Sequence, residues 1–232
     1  MARDPALARD EDKRRAAIAA LDEVAGGMIV GLGTGTTAAF FITALAERVR
    51  GGLSITAVAT SIASERAARA AGINVVAFDD VAAVDLAVDG VDEIEPGLRA
   101  IKGAGGAMLR EKIVASAARR MVAIADGSKW VAAIGAAPLP VEVLPFARAY
   151  VLAELRRVGA VPVLRVKDGA PVLSDQGNLL VDCRFATLPA PDAIAAIPGV
   201  LGHGLFASEI DAAYIADAGT VTRHERAMIA GR

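Results

Sequence analysis

From Met28 onward, short apolar runs alternate with helix-patterned stretches, and this rhythm restricts the possible folds more than any other feature of the chain. The runs "MIVGLG", "SITAVAT", "NVVAF", "DLAVDG" and "MVAIAD" have the length and content of buried strands. Between them, "TTAAFFITALAERV", "SERAARAAG" and "AMLREKIVASAARR" repeat apolar residues at helical spacing. A further helix is predicted over "EDKRRAAIAALDEVA", stopped by Gly26 and Gly27. Strands joined through helices run parallel with right-handed crossovers, so the pattern predicts an α/β fold: a Rossmann-like, mostly parallel sheet with helices on both faces. Composition agrees, because 54% of residues are hydrophobic but only 4% aromatic, leaving small aliphatic side chains to fill a core between sheet and helices.

After "ADGSKWV" the order changes. Strand "VEVLP", helix "FARAYVLAELRRVG", strands "VPVLRV" and "NLLVDCRF", helix "PDAIAAIP" and strand "VLGHGLF" follow, a β-α-β-β-α-β order that predicts a smaller ferredoxin-like α+β domain. The tail "DAAYIADAGTVTRH" reads as another strand pair able to return to the first sheet. The expected organisation is therefore a Rossmann-like domain of residues 1–133 and 207–232, with a ferredoxin-like domain of residues 134–206 inserted into it.

Charge narrows the function classes. The formal net charge is -2 and the Lys and Arg residues are interspersed with acids, so no basic stripe suits nucleic acid and a small-molecule partner is expected. The start has no apolar signal core, and Asp4, Asp10, Glu11 and Asp12 oppose a transit peptide. No apolar run reaches the roughly 20 residues of a membrane span, so a cytoplasmic location without membrane contact is expected. The single cysteine, Cys183, fits a reducing compartment, and its alternation with Leu179, Val181 and Phe185 makes it a core-strand residue. His203 and His224 lack metal-ligand spacing, and His203 between Gly202 and Gly204 reads as a strand or turn residue.

"GLGTGTTAAFF" follows the first strand and opens a helix, where backbone N–H groups and the helix dipole favour an anion. A dinucleotide fingerprint needs a third glycine where Thr36 stands, and a Walker loop needs a lysine that is absent, so nicotinamide and nucleotide readings are disfavoured. Two readings remain: hydroxyls at Thr34, Thr36 and Thr37 grip a monophosphate, or the glycines make a tight turn with Thr36 as N-cap.

Further on, "VDGVDEI" places Asp89, Asp92 and Glu93 directly after an apolar strand, and "IKGAGGAMLREK" brings Lys102, a second glycine loop and a helix bearing Glu111. At about 100° per residue, Lys112, Ser116 and Arg119 form the wet face of that helix, whereas Glu111 shares a stripe with Ala107, Ala115 and Ala118 and should face inward. Strand C-termini and helix N-termini share one edge of an open α/β sheet, so Asp89, Asp92, Lys102 and Glu111 can converge there. Acids crowded in low dielectric have raised pKa values and move protons near neutrality; a lysine among them can stabilise an oxyanion. The bland alternatives are capping carboxylates and a surface Lys102–Asp92 pair; acids and carbonyls would also suit Mg²⁺.

In order and spacing, "GLGTGTTAAFFI", "TSIASERAA", "VDGVDEI", "IKGAGGAMLREK", "ADGSK", "LPVEVLPFA" and "DQGNLLVD" together resemble the type A ribose-5-phosphate isomerases across almost the whole chain. The resemblance implies cofactor-free and metal-free aldose-ketose isomerisation of ribose 5-phosphate and ribulose 5-phosphate in the non-oxidative pentose phosphate pathway. It makes Glu111 the base that moves a proton between C2 and C1 through an enediol(ate), with Asp89 assisting ring opening, Asp92 supporting it and Lys102 stabilising negative charge. The implied substrate contacts are Thr34, Gly35, Thr36 and Thr37; Asp89, Gly90, Val91 and Asp92; Lys102, Gly103, Ala104 and Gly105; and Lys129 and Lys13. It also implies a homodimer or homotetramer. One departure is Ala104, where the family commonly has glycine, and its methyl group is expected to restrict backbone approach. Glu93 is expected to be a solvated or helix-edge residue. The rival readings are another sugar-phosphate or acyl-CoA enzyme on the same core and a sugar-phosphate sensor of a transcriptional regulator. The sensor lacks its helix-turn-helix here, and the acyl-CoA enzymes do not account for the combined Asp89, Asp92, Lys102 and Glu111.

Overall fold

The structure, a computed structural model, describes residues 5–227. Along the chain run α1 (Pro5–Ala19), β1 (Ile29–Leu32), α2 (Thr36–Arg50), β2 (Thr56–Ala59), α3 (Ile62–Ala70), β3 (Leu86–Gly90), β4 (Glu93–Ile94), β5 (Ala100–Ile101), α4 (Met108–Ala117) and β6 (Met121–Asp126). Then come β7 (Leu139–Val143), α5 (Arg148–Arg157), β8 (Ala160–Leu164), β9 (Val166–Lys167), β10 (Ala170–Pro171), β11 (Leu179–Phe185), α6 (Pro191–Ala195), β12 (Val200–His203), β13 (Leu205–Phe206), β14 (Ala212–Asp217) and β15 (Thr220–Glu225).

The large sheet has the order β15-β14-β6-β3-β1-β2, parallel throughout except for β15. Its central strands bury both faces by simple alternation. Leu86, Val88, Val122 and Ile124 point into one core with Phe41 and Leu45 of α2, while Ala87, Ala123 and Ala125 point into the other with Val114 of α4. Small residues permit the close approach: a Cβ on Gly31 of β1 would lie 2.6 Å from Val114. The tail strands β14 and β15 complete this sheet, with β14 parallel to β6.

The small sheet has the order β12-β7-β11-β8, all antiparallel. In chain order its strands are the first, second, third and fourth of a β-α-β-β-α-β unit and lie as 4-1-3-2, the ferredoxin-like arrangement. Its core collects Leu139, Val141, Val143, Val151, Leu155, Val181 and Ile194 around Cys183, whose thiol burial pushes up to about 12. Cys183 is a packing residue, as its alternation predicted.

Several predicted elements differ. "NVVAF" forms only a single bridge, Val75 to Ala57, and Phe78–Asp80 turns into a 3-10 helix. "VPVLRV" breaks at Arg165 into β8 and β9, and "VLGHGLF" breaks at Gly204 into β12 of the small sheet and β13 of a three-stranded ribbon ordered β13-β5-β4. The first helix is described from Pro5, upstream of the predicted start, and its last turn becomes 3-10 at Ala20–Glu23, ahead of the predicted glycine stop. Among the described residues, no helix is long and apolar enough to cross a membrane.

Candidate active site

β1 has β2 on one side and β3 on the other, so the chain reverses its direction of growth across the sheet between β1 and β3. At such a point the loops leaving neighbouring strands diverge and open a crevice. Here the crevice is a cleft lined by the loop after β1, the end of β3 and the segment from Lys102 to Gly105, with Lys13, Lys129 and Glu111 at its walls.

The loop after β1 is pinned to Asp89. Asp89 Oδ1 accepts the N–H of Thr34 at 2.9 Å and of Gly90 at 2.7 Å, and a Cβ on Gly33 would lie 2.1 Å from that oxygen. Only glycine fits at 33. Gly35, with φ 99°, is the N-cap of α2, and no side chain caps the helix; the expected Thr36 cap is thus displaced by one residue, and Thr36 begins the helix. Thr36 and Thr37 line the cleft. The Thr34 hydroxyl instead meets Thr60 Oγ1 at 2.8 Å, and Thr60 also donates to the Leu32 carbonyl, so Thr34 secures the loop to β2.

At the centre lie Lys102, Asp89 and Glu111, all buried. Lys102 Nζ is 2.9 Å from Asp89 Oδ2 and 3.2 Å from Glu111 Oε2, and it also donates to the Gly90 carbonyl. Its ammonium fills the space between the two carboxylates. This excludes the surface Lys102–Asp92 pair: Asp92 Oδ2 instead accepts the N–H of Ala104 at 2.9 Å. Burial raises the Glu111 pKa to about 8, assisted by Asp89 and opposed by Lys102. Asp89 is raised by burial too, against the pull of Lys102 and of the two N–H groups it accepts. For Lys102 burial disfavours the charge, yet Asp89 and Glu111 outweigh it and hold the amine protonated. The site therefore keeps a cation, with one carboxyl that exchanges its proton close to neutral pH.

Every expected contact residue borders the cleft except Asp89, which stands behind Lys102. The glycine loop follows a constrained course: Gly103 has φ 102°, and Gly106 has φ 81°. Ala104 is exposed and not among the residues with positive φ, so its methyl group meets no backbone penalty, and its N–H is bonded to Asp92. Two expectations fail. Glu93 is buried and accepts the N–H groups of Gly135 and Ala137, both at 2.7 Å, which ties the connection into β7 beside the cleft. Lys112 leaves the wet face, because its ammonium reaches the Leu205 carbonyl, Glu209 at 2.9 Å and the face of Phe206. His203 is buried at the end of β12, where burial lowers its pKa to about 4 and Nδ1 accepts the Leu205 N–H at 3.3 Å.

Residues 56–220 match the family model of ribose 5-phosphate isomerase A (phosphoriboisomerase A). The chain belongs to the ribose 5-phosphate isomerase A family. Similar members include the ribose-5-phosphate isomerase A of Sphingopyxis alaskensis, 52% identical over 88% of this chain and 92% of that protein. The member from Rhodopseudomonas palustris strain HaA2 is 43% identical over 94% of this chain and 99% of its own length. Among solved structures, a D-ribose-5-phosphate isomerase in complex with phospho-erythronic acid superposes with a TM-score of 0.89 at 36% identity, covering 94% of this chain and 99% of that one. The ribose 5-phosphate isomerase of Plasmodium falciparum gives 0.90 at 30% identity, covering 94% and 100%. Within this family fold, sequence reasoning missed the hydroxyl chain Thr60–Thr34–Ser64 and the role of Glu93. Ser61 caps α3 by accepting the Ser64 N–H, a Ser-x-x-Ser signal legible in "TSIAS".

Proposed function

We propose that the chain interconverts D-ribose 5-phosphate and D-ribulose 5-phosphate through an enediol(ate), with the cleft at the β1/β3 edge as its active site. The observation that carries the reading is the buried Asp89–Lys102–Glu111 cluster, with the Glu111 pKa raised to about 8, at the end of a cleft whose other end is an uncapped helix N-terminus. Moving a proton between C2 and C1 needs a base near neutrality and a cation for the enediolate oxygen; Glu111 and Lys102 supply them. Asp89 assists ring opening and hydroxyl proton transfer by way of Lys102, and Asp92 supports it while holding the Ala104 amide. The phosphate is taken by the first turn of α2, Thr36 and Thr37, with Lys13 or Lys129 adding charge, and its binding energy orients the distant carbons.

The two sheets support a division into residues 1–133 with 207–232 and an inserted unit of 134–206. We assign the enzyme to the cytoplasm and to the non-oxidative pentose phosphate pathway. A homodimer or homotetramer follows from the family likeness, and Phe146, 97% exposed, with the exposed Tyr150 supplies apolar surface for it. The deciding experiment incubates purified protein with ribose 5-phosphate in EDTA and follows ribulose 5-phosphate. Turnover is expected; a folded sample that binds the sugar phosphate but does not convert it refutes the reading, and solution mass settles the assembly.

A further inference from the structure

The segment that carries Lys102 into the cleft is gripped from outside by a residue of the small sheet. Arg165 stands at the break between β8 and β9, where its own N–H donates to the Leu180 carbonyl and its carbonyl accepts the Val172 N–H. Its guanidinium is set by Asp182 of β11 in a two-pronged pair, Nε to Oδ2 at 2.9 Å and Nη2 to Oδ1 at 2.5 Å. The remaining arm, Nη1, donates to the carbonyls of Ala104 at 2.9 Å and Gly103 at 3.3 Å. A planar guanidinium locked by a carboxylate on one edge has little freedom left on the other.

Those two carbonyls belong to the peptide groups whose N–H atoms are on Ala104 and Gly105. Among the described residues no peptide bond is cis, and in a trans peptide the C=O and N–H point in opposite directions. Drawing both carbonyls toward Arg165 therefore turns both N–H groups away from it: Ala104 N–H reaches Asp92, and Gly105 N–H is left on a residue that lines the cleft. A cation on the carbonyl side also polarises each peptide and strengthens its N–H as a donor. Arg165 itself does not line this cleft, so it acts through the loop.

We propose that Arg165, held by Asp182, is a positioning residue that fixes the Lys102–Gly105 loop so that the Ala104 N–H holds Asp92 and the Gly105 N–H faces the reacting end of the sugar. The proposal rests on the isomerase reading above. Its consequence is specific to the transition state: losing the grip weakens stabilisation of the enediolate oxygens more than it weakens capture of the phosphate, which the loop after β1 performs.

The test compares wild type with R165M, R165K and D182N, measuring kcat, KM, inhibition by 4-phospho-erythronate, whose carboxylate presents a pair of oxygens like the enediolate, and inhibition by inorganic phosphate. For R165M we expect tenfold or greater losses in kcat and in phospho-erythronate affinity together, with KM and phosphate inhibition within threefold of wild type. R165K, which keeps the charge but cannot serve Asp182 and two carbonyls at once, is expected to recover part of the loss, and D182N to follow the same direction as R165M. Should R165M fail to fold, R165K and D182N carry the comparison. Variants that keep kcat and phospho-erythronate affinity within twofold overturn the proposal, as does an equal decline of all four constants with thermal stability, which is the mark of a scaffold role. A wild type without turnover overturns the isomerase reading and this one with it; an active wild type with unaffected variants overturns this one alone.

Discussion

Glu111 carries the heaviest load of any side chain in the cleft, and its burial sets both activity and stability. Replacing it by Gln keeps shape and removes the base, so kcat is expected to fall roughly 10²–10⁴-fold with an unchanged circular dichroism spectrum. Because its pKa in the folded protein is about 8, kcat/KM of the wild type is expected to rise with pH through that region as the carboxylate forms. Stability runs the other way. The folded state holds a proton on Glu111 between the ordinary carboxyl value of 4.5 and about 8, where the unfolded chain does not, so this contribution is full below the lower value and is lost as pH rises through the upper one. E111Q is therefore expected to melt above the wild type at pH 8, and equal or lower melting there would contradict the assignment. Lys102→Met strands the buried Asp89 carboxylate and leaves the Glu111 carboxyl without its cation; a loss of about 3–5 kcal/mol at pH 7, smaller at pH 5 where Asp89 protonates more readily, is expected in urea titrations. The inward stripe of Glu111 was legible from helical spacing, because a wheel needs only local geometry. Glu93 was not: its partners, Gly135 and Ala137, lie some forty positions away, at separations of 42 and 44. Lys112 failed for the same reason, since Glu209 is 97 positions distant.

At the scale of elements, alternation of strand and helix predicted the large sheet well, because parallel strands buried on both faces leave an unbroken apolar signature. Breaks inside apolar runs were not legible. "VLGHGLF" has no turn signal strong enough to separate β12 from β13, yet tertiary contact separates them: a Cβ on Gly204 would lie 2.0 Å from the Lys102 carbonyl, whose own N–H donates to the Gly204 carbonyl. Gly204→Ala is expected to destabilise the protein by about 4 kcal/mol and to reduce kcat in the fraction that folds, because the ribbon that presents Lys102 must move. Denaturant midpoints together with turnover per folded molecule check both halves. The first glycine loop opens a helix as expected, but the N-cap was read one residue late, since Gly35 takes a positive φ that a cap rule based on side-chain oxygens does not anticipate.

For the whole molecule, the cleft draws its walls from residues as far apart as Lys13 and Lys129, so occupancy is expected to stabilise the protein globally. Phospho-erythronate at about 100 times its Kd is expected to add ~2.7 kcal/mol to unfolding, read as a rise in denaturant midpoint with unchanged slope. The return of the tail strands to the large sheet was anticipated from the element order alone; what the order did not disclose is how α1 is tied to the turn between those strands. Asp12 accepts the Gly219 N–H at 2.9 Å and Arg15 donates to the Gly219 carbonyl at 2.7 Å, so the turn between β14 and β15 clasps α1 on both sides of Lys13. These pairs are 207 and 204 positions apart. During synthesis at roughly 5–20 residues per second, α1 leaves the ribosome about 10–40 s before the turn that holds it. The wall bearing Lys13 is consequently the first part of the cleft to be made, and its clasp is among the last contacts to form; until then α1 has mainly α2, the next helix in the chain, to cover its apolar side.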